Sequence, residues 1–172
     1  MLRAYLRLVL FALGLLAGVQ APGFIDQYSK RVSAHYIEAT QGFAGFQHTA
    51  DLYFGGSIDA LIAHHQASPD AVFKDEARSV AALHTRLQKL AQELDAMRGS
   101  LISRILHVAF QPDKDILDET IAAYSYTVPL NGEAILCGLI AALFVALLVE
   151  SLLIGVLRLG QLTIGASHSS RA

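Results

Sequence analysis

The chain has 172 residues and a formal net charge of −2, and only 16% of its residues are charged while 53% are hydrophobic. Soluble domains are about one quarter charged, so this composition favours a membrane protein. The near-neutral charge excludes nucleic-acid binding through a broadly basic surface, and the single cysteine, Cys137, excludes an internal disulfide framework.

The N-terminal segment begins with Arg3 and Arg7 and continues through apolar and glycine residues from Leu8 to Val19. This pattern is typical of a cleaved secretion signal and equally of a membrane span. Cleavage after the small residues that follow would place Pro22 just behind the cut, where proline obstructs the peptidase. We therefore predict that residues 1–24 form a retained transmembrane anchor, with a cleaved signal as the alternative.

The middle region, residues 25–130, carries two apolar stripes with helical spacing. The first ends at Gly55-Gly56 and comprises Ile25, Tyr28, Val32, Tyr36, Ala39, Phe43, Phe46, Ala50 and Tyr53. The second runs from Phe73 to Val108 at close to 3.5 residues per repeat, which favours coiled-coil-like packing against a neighbour. The two stripes predict an antiparallel helical hairpin.

Polar residues beside the second stripe, namely Arg86, Lys89 and Glu93, are expected on the solvated face of this hairpin. Helices are predicted after Ser57 and after Asp70, because these residues cap helix N-termini well. A further short helix is predicted from Asp113 to Ala123, because its acidic residues lie toward its N-terminus, where the helix dipole favours them.

The second apolar segment extends from Ala134 to Leu157 and contains one charged residue, Glu150. Its 24 residues would span about 36 Å as a helix, enough to cross a bilayer with some tilt. Asn131 is a good N-cap. We predict a transmembrane helix over residues 131–158 and a short tail over residues 159–172.

The distribution of charge predicts the orientation. Fourteen of the fifteen acidic residues lie between Phe24 and Glu133, whereas the charges outside this range, other than Glu150, are all arginines. The positive-inside rule then places both termini in the cytoplasm and the middle region in the periplasm of a bacterium. Aromatic residues at the predicted outer interface would form a belt comprising Phe24, Tyr28, Tyr124 and Tyr126.

Motifs for catalysis and metal binding are weak. No two of the seven histidines are three or four residues apart, although a metal site assembled from distant residues such as His48 and His65 stays open. The acidic run 113–119 lacks the glycine of a calcium loop. The sequence contains no nucleophile elbow and no phosphate-binding loop. We predict a protein that is not an enzyme and has no cofactor.

Small residues in both apolar segments predict close helix packing. Gly14 and Gly18 form a GxxxG motif, which lets helix backbones approach closely, and Gly138 and Ala142 form a similar face in the second segment. The contact is expected either within one chain or between copies.

Glu150 needs an explanation because a carboxylate inside a bilayer is costly and normally has a partner or a function. In the predicted arrangement Arg7 enters the membrane from the same side, so an Arg7–Glu150 ion pair is the first interpretation. Contact with a partner protein and a role in proton or ion transport are the alternatives.

Four stretches carry a resemblance to a known family: GFIDQY at 23–28, YFGG at 53–56, LIAHHQASPD at 61–70 and YSYTVPL at 124–130. With them the chain resembles a proteobacterial family of small two-span inner-membrane proteins, the domain of unknown function DUF2937. The resemblance covers nearly the whole chain and implies the same order of anchor, helical middle and second span. It implies no activity, cofactor or site residue.

The sequence thus predicts an all-α membrane protein in which two transmembrane helices flank an extracytoplasmic helical hairpin. The expected function is that of a non-catalytic inner-membrane scaffold or accessory subunit, acting within the lipid bilayer as a homo-oligomer or in a larger membrane complex. One alternative is a small transporter or channel component that uses Glu150. The other is a metal-dependent periplasmic enzyme or sensor.

Overall fold

The computed structural model describes residues 2–125 and 131–168, with side chains described for residues 5–125 and 131–152. Within these residues it contains helices and no strand, which confirms the all-α prediction. The six described helices are α1 (Leu2–Tyr53), α2 (Ile58–Ala67), α3 (Ala71–Ala96), α4 (Leu101–Phe110), α5 (Lys114–Ala122) and α6 (Gly132–His168). The chain forms two compact units, residues 1–24 with 125–172, and residues 25–124.

Helix α1 is a single helix of 52 residues that continues through Pro22. The predicted anchor and the first apolar stripe therefore belong to one helix. It ends where predicted, because Gly55 and Gly56 adopt φ angles of 58° and 84°, which L side chains rarely adopt. The Gly56 N–H donates to the carbonyl of Ala50 at 3.0 Å, closing the helix as a left-handed glycine cap does.

Polar side chains start five of the helices. Ser57, Asp70, Ser100 and Asp113 each accept a hydrogen bond from a backbone N–H in the first turn of α2, α3, α4 and α5. The Asn131 side chain accepts from the Ala134 N–H at 2.8 Å at the start of α6. Each such cap typically stabilises a helix by about 1 kcal/mol.

The core of the unit formed by residues 25–124 joins α1, α2 and α3. It contains the buried side chains of Phe43, Ala50, Ile58, Leu61 and Val80, with Phe46, Phe54, Ile62 and Leu87 packed against them. Tyr28, nearer the start of α1, contacts Glu93, nearer the end of α3. These contacts bury the first stripe along most of its length.

The second stripe is less regular than its spacing predicts. Ala77, Val80, Leu90 and Met97 are buried, whereas Leu83 is exposed. The helix also stops at Ala96, and α4 begins only at Leu101. Gly99 and Ser100 lie at this break, where the Ser100 side chain caps the new helix instead of continuing the old one.

Two helices are long and apolar enough to cross a membrane, namely α1 and the part of α6 from Gly132 to Leu152. Helix α6 continues to His168, so most of the predicted tail at 159–172 is helical, and residues 169–172 lie outside the described part. The aromatic belt is wrong for Tyr28, which is fully buried among helices. Tyr126 lies outside the described residues.

Candidate functional site

The two apolar helices pack through the small residues singled out in the sequence. Gly14, Gly18 and Gly138 are buried in the first unit, and Ala142 is fully buried there. A Cβ atom placed on Gly14 would lie 3.1 Å from the Cα of Ala142, so the backbones of α1 and α6 are close neighbours. The structure thus brings the four residues together within a single chain.

The contact is tightest at Gly18. A Cβ atom there would lie 2.6 Å from the Cβ of Ala141 and 2.7 Å from the carbonyl oxygen of Cys137. A Cβ on Gly138 would meet the Leu15 carbonyl oxygen at 3.0 Å. At both glycines the added Cβ would contact backbone atoms of the other helix, and backbone atoms cannot rotate away as a side chain can. The two helices can therefore keep this separation only with glycine at positions 18 and 138.

The charged pair lies farther along the same two helices. The Nη2 atom of Arg7 is 2.9 Å from the Oε1 atom of Glu150, and both side chains are half exposed. Their neighbours along the helices, such as Leu8 and Leu147, are exposed and apolar. The pair therefore neutralises two charges that lie among exposed apolar side chains, which is the arrangement expected where lipid surrounds the helices.

The largest difference from the sequence-based expectation is a buried polar cluster formed by Tyr28, Glu93 and His107. Glu93 is only 9% exposed, so its predicted place on the solvated face is wrong. The Tyr28 hydroxyl donates to Glu93 Oε1 at 2.5 Å, and His107 Nε2 lies 2.9 Å from the same oxygen. One carboxylate thereby ties together α1, α3 and α4.

The same hydroxyl also orders the start of α5, because it accepts a hydrogen bond from the Asp113 N–H at 2.9 Å. Burial, followed by the hydrogen bond and negative charge of Glu93, raises the pKa of Tyr28 above its ordinary value. The phenol therefore stays protonated and keeps donating. A signal for this cluster exists in the sequence, since Glu93 lies three residues after Leu90 and four before Met97, on the face that those residues bury.

A second polar contact links α1 to α5 at the surface. His35 Nε2 lies 2.9 Å from Glu119 Oε2, and this hydrogen bond lowers the pKa of Glu119. The pair borders an open groove of about 380 Å³ whose lining includes Arg86, Lys89 and Asp115. Because charges of both signs line the groove, it presents no uniform electrostatic surface to a ligand.

The histidines near the far end of α1 are placed for packing. The His64 ring lies 5.3 Å from that of Phe54, and the His65 ring lies 5.4 Å from that of Phe73. Among the described side chains, no group of three or more histidine, cysteine, aspartate or glutamate residues is placed to hold a metal ion. His48 and His65 are therefore not members of such a group.

The comparisons with known proteins give one positive result. No curated protein and no solved structure gave a match to the chain. The family model described as "Protein of unknown function (DUF2937)" matches residues 2–161. This match covers α1, the helical unit that follows it and α6 as far as residue 161, and the chain therefore belongs to the DUF2937 family.

Proposed function

We propose that the chain is a two-span inner-membrane protein that serves as a non-catalytic scaffold or accessory subunit through helix–helix interactions. In this proposal the first part of α1 and the apolar part of α6 cross the membrane. Both termini lie in the cytoplasm, and residues 25–130 form a helical hairpin in the periplasm of a proteobacterium.

The packing of the two apolar helices supports the membrane position. Their backbones approach most closely at glycine and alanine residues, whereas large apolar side chains such as Leu13, Leu16 and Phe144 point outward and are exposed. In water this surface would be strongly unfavourable. Small residues between helices and large apolar residues outside them are the pattern of helix pairs in lipid.

Contacts in the second unit support the hairpin. Tyr28 meets Glu93 late in α3, while Phe43 shares a core with Val80 early in α3. Advancing along α1 thus means moving backwards along α3, as in an antiparallel pair. Helix α2 fills the turn between them.

The observation that carries the interaction function is apolar exposure around this turn. Leu52 and Tyr53 at the end of α1 and Val72 at the start of α3 are all exposed. Polar side chains would be expected at the solvated tip of a hairpin with no partner. Exposed apolar side chains at both ends of the turn favour a protein partner, which is either a second copy or another membrane subunit.

The test replaces Leu52 and Val72 together by serine in the full chain. The matched control is Lys74→Ser, which changes an exposed polar residue two positions after Val72 in the same helix. We expect complexes extracted from native membranes with mild detergent to dissociate in the double variant and to persist in the control. Unchanged complexes in the double variant would show that this turn is not the interaction element.

A further inference from the structure

Helix α4 exposes an apolar stripe on its outer face. Ile102, Leu106 and Phe110 follow one another at intervals of four residues and are 71%, 52% and 77% exposed. The exposed Ala109 lies on the same face. Three large apolar side chains aligned on a ten-residue helix form a continuous surface of the kind that docks on a partner or a membrane.

The inner face of α4 fixes the direction of this stripe. Val108 is buried, and His107 is held by Glu93, which in turn is held by Tyr28. Because α4 is attached on that side by both packing and hydrogen bonds, it cannot turn Ile102, Leu106 and Phe110 inward without breaking the cluster.

The cluster also fixes which part of α1 lies beside α4. Tyr28 follows Phe24 by four residues, or about 6 Å along the helix axis. Residues 8–25 carry no charge, and Asp26 and Lys30 then form the first ion pair after this apolar run, at 2.7 Å. Helix α4 is therefore held at the level of α1 where the apolar segment ends.

Charge identifies the kind of surface that would cover the stripe. Residues 96–112 contain no acidic residue, but they include Arg98 and Arg104. Arg98 is paired with Asp95, the acidic residue just before this segment, at 3.6 Å. An exposed apolar face on a helix that carries basic residues and no acidic residue is the pattern of helices that lie in a lipid headgroup layer.

We propose that α4 is an interfacial helix that lies on the periplasmic surface of the bilayer, with Ile102, Leu106 and Phe110 inserted at the boundary between headgroups and acyl chains. This inference rests on the proposed membrane position of α1 and α6. The helical unit is then attached to the membrane by a third contact besides its two spans. That contact orients the unit on the bilayer surface.

The absence of tryptophan from the chain makes a direct test possible. Three full-length variants each carry one tryptophan: Phe110→Trp in α4, Ile37→Trp as the exposed control in α1, and Phe144→Trp in the apolar part of α6. Each is reconstituted in vesicles of zwitterionic and anionic phospholipid, with and without lipids brominated on their acyl chains. The measurements are the emission maximum and the bromine quenching of each tryptophan.

We expect Phe110→Trp to show blue-shifted emission and strong quenching by lipids brominated near the headgroup, whereas Ile37→Trp stays red-shifted and unquenched. Phe144→Trp should be quenched most by deeper bromines. Red-shifted, unquenched emission from Phe110→Trp beside a quenched Phe144→Trp would overturn the inference and leave the spans intact. Blue-shifted but unquenched emission would mean that protein covers α4, and would also overturn it. Unquenched Phe144→Trp would overturn the membrane position itself.

Discussion

Removal of the Tyr28 hydroxyl tests the role of the buried cluster. The hydroxyl donates to Glu93 at 2.5 Å and accepts from the Asp113 N–H at 2.9 Å, and Tyr28 is 0% exposed. In Tyr28→Phe, Glu93 and the Asp113 N–H each lose a hydrogen bond at a buried position, where water does not replace the missing hydroxyl. A bond to a charged acceptor contributes about 1.5–3 kcal/mol, and an unsatisfied buried donor costs about 1–3 kcal/mol. Because Glu93 keeps its hydrogen bond with His107, we expect the free energy of unfolding to decrease by about 3 kcal/mol.

The assay is urea denaturation of the full chain in mild detergent, followed by far-ultraviolet circular dichroism. The matched control is Tyr53→Phe, since Tyr53 is 75% exposed and the same atom is removed. Its free energy of unfolding should change by no more than about 0.5 kcal/mol. A loss below about 1 kcal/mol in Tyr28→Phe, or equal losses in the two variants, would refute the argument that the cluster joins α1, α3 and α4.

The same site predicts a dependence on alkaline pH. Burial and Glu93 raise the pKa of Tyr28, so the protonated phenol is favoured in the folded state. Its contribution to stability is therefore fully present below the ordinary tyrosine pKa of about 10 and declines as the pH rises beyond it. The loss of stability above about pH 10 should be smaller in Tyr28→Phe than in the unchanged chain.

Three further predictions concern other contacts. Gly18→Ala should lower the melting temperature in detergent, because the added methyl group would meet the backbone of α6. The control is Gly42→Ala, which should not lower it because the space around Gly42 is open. Equal changes in melting temperature in the two variants would contradict the close packing of α1 and α6. Glu150→Gln should lower the melting temperature because it leaves Arg7 unpaired, and the further change Arg7→Gln should recover part of that decrease. A structural ion pair would be contradicted if the two single decreases simply added in the double variant. It would also be contradicted if Glu150→Gln abolished transport and left the melting temperature unchanged. The depressed pKa of Glu119 contributes stability above the ordinary carboxyl pKa, and this contribution is lost as the pH falls through the lowered value. The decrease in melting temperature from about pH 5 to about pH 3 should therefore be smaller in Glu119→Gln than in the unchanged chain, and an equal decrease would contradict this.

The helices themselves were largely predictable because local chemistry determines them. Ser57, Asp113 and Asn131 cap helices in the structure, and Gly55-Gly56 ends α1, as their residue types indicate. Small residues likewise suggested where the apolar helices would approach, although only the coordinates show that the contact forms within one chain.

The polar cluster was not predictable from the pattern alone. A glutamate beside an apolar stripe is usually solvated, and the partners of Glu93 lie 65 and 14 residues away. The spacing does place Glu93 on the face of Leu90 and Met97, but its partners depend on how three helices meet, which periodicity does not encode. Gly99-Ser100 indicated a bend in the second stripe, but the stripe did not reveal that α3 ends there, since the step from Met97 to Leu101 keeps the helical spacing across the break.

The central claim is that this chain acts by assembling with other proteins in the membrane. It is tested most directly by the mass of the intact complex after extraction of the full chain from native membranes in mild detergent. The account predicts a defined complex with a protein mass well above the 18.5 kDa of one chain, either as a fixed number of copies or with one stoichiometric partner. A single chain with no partner, under conditions in which its own fold persists, would contradict the account.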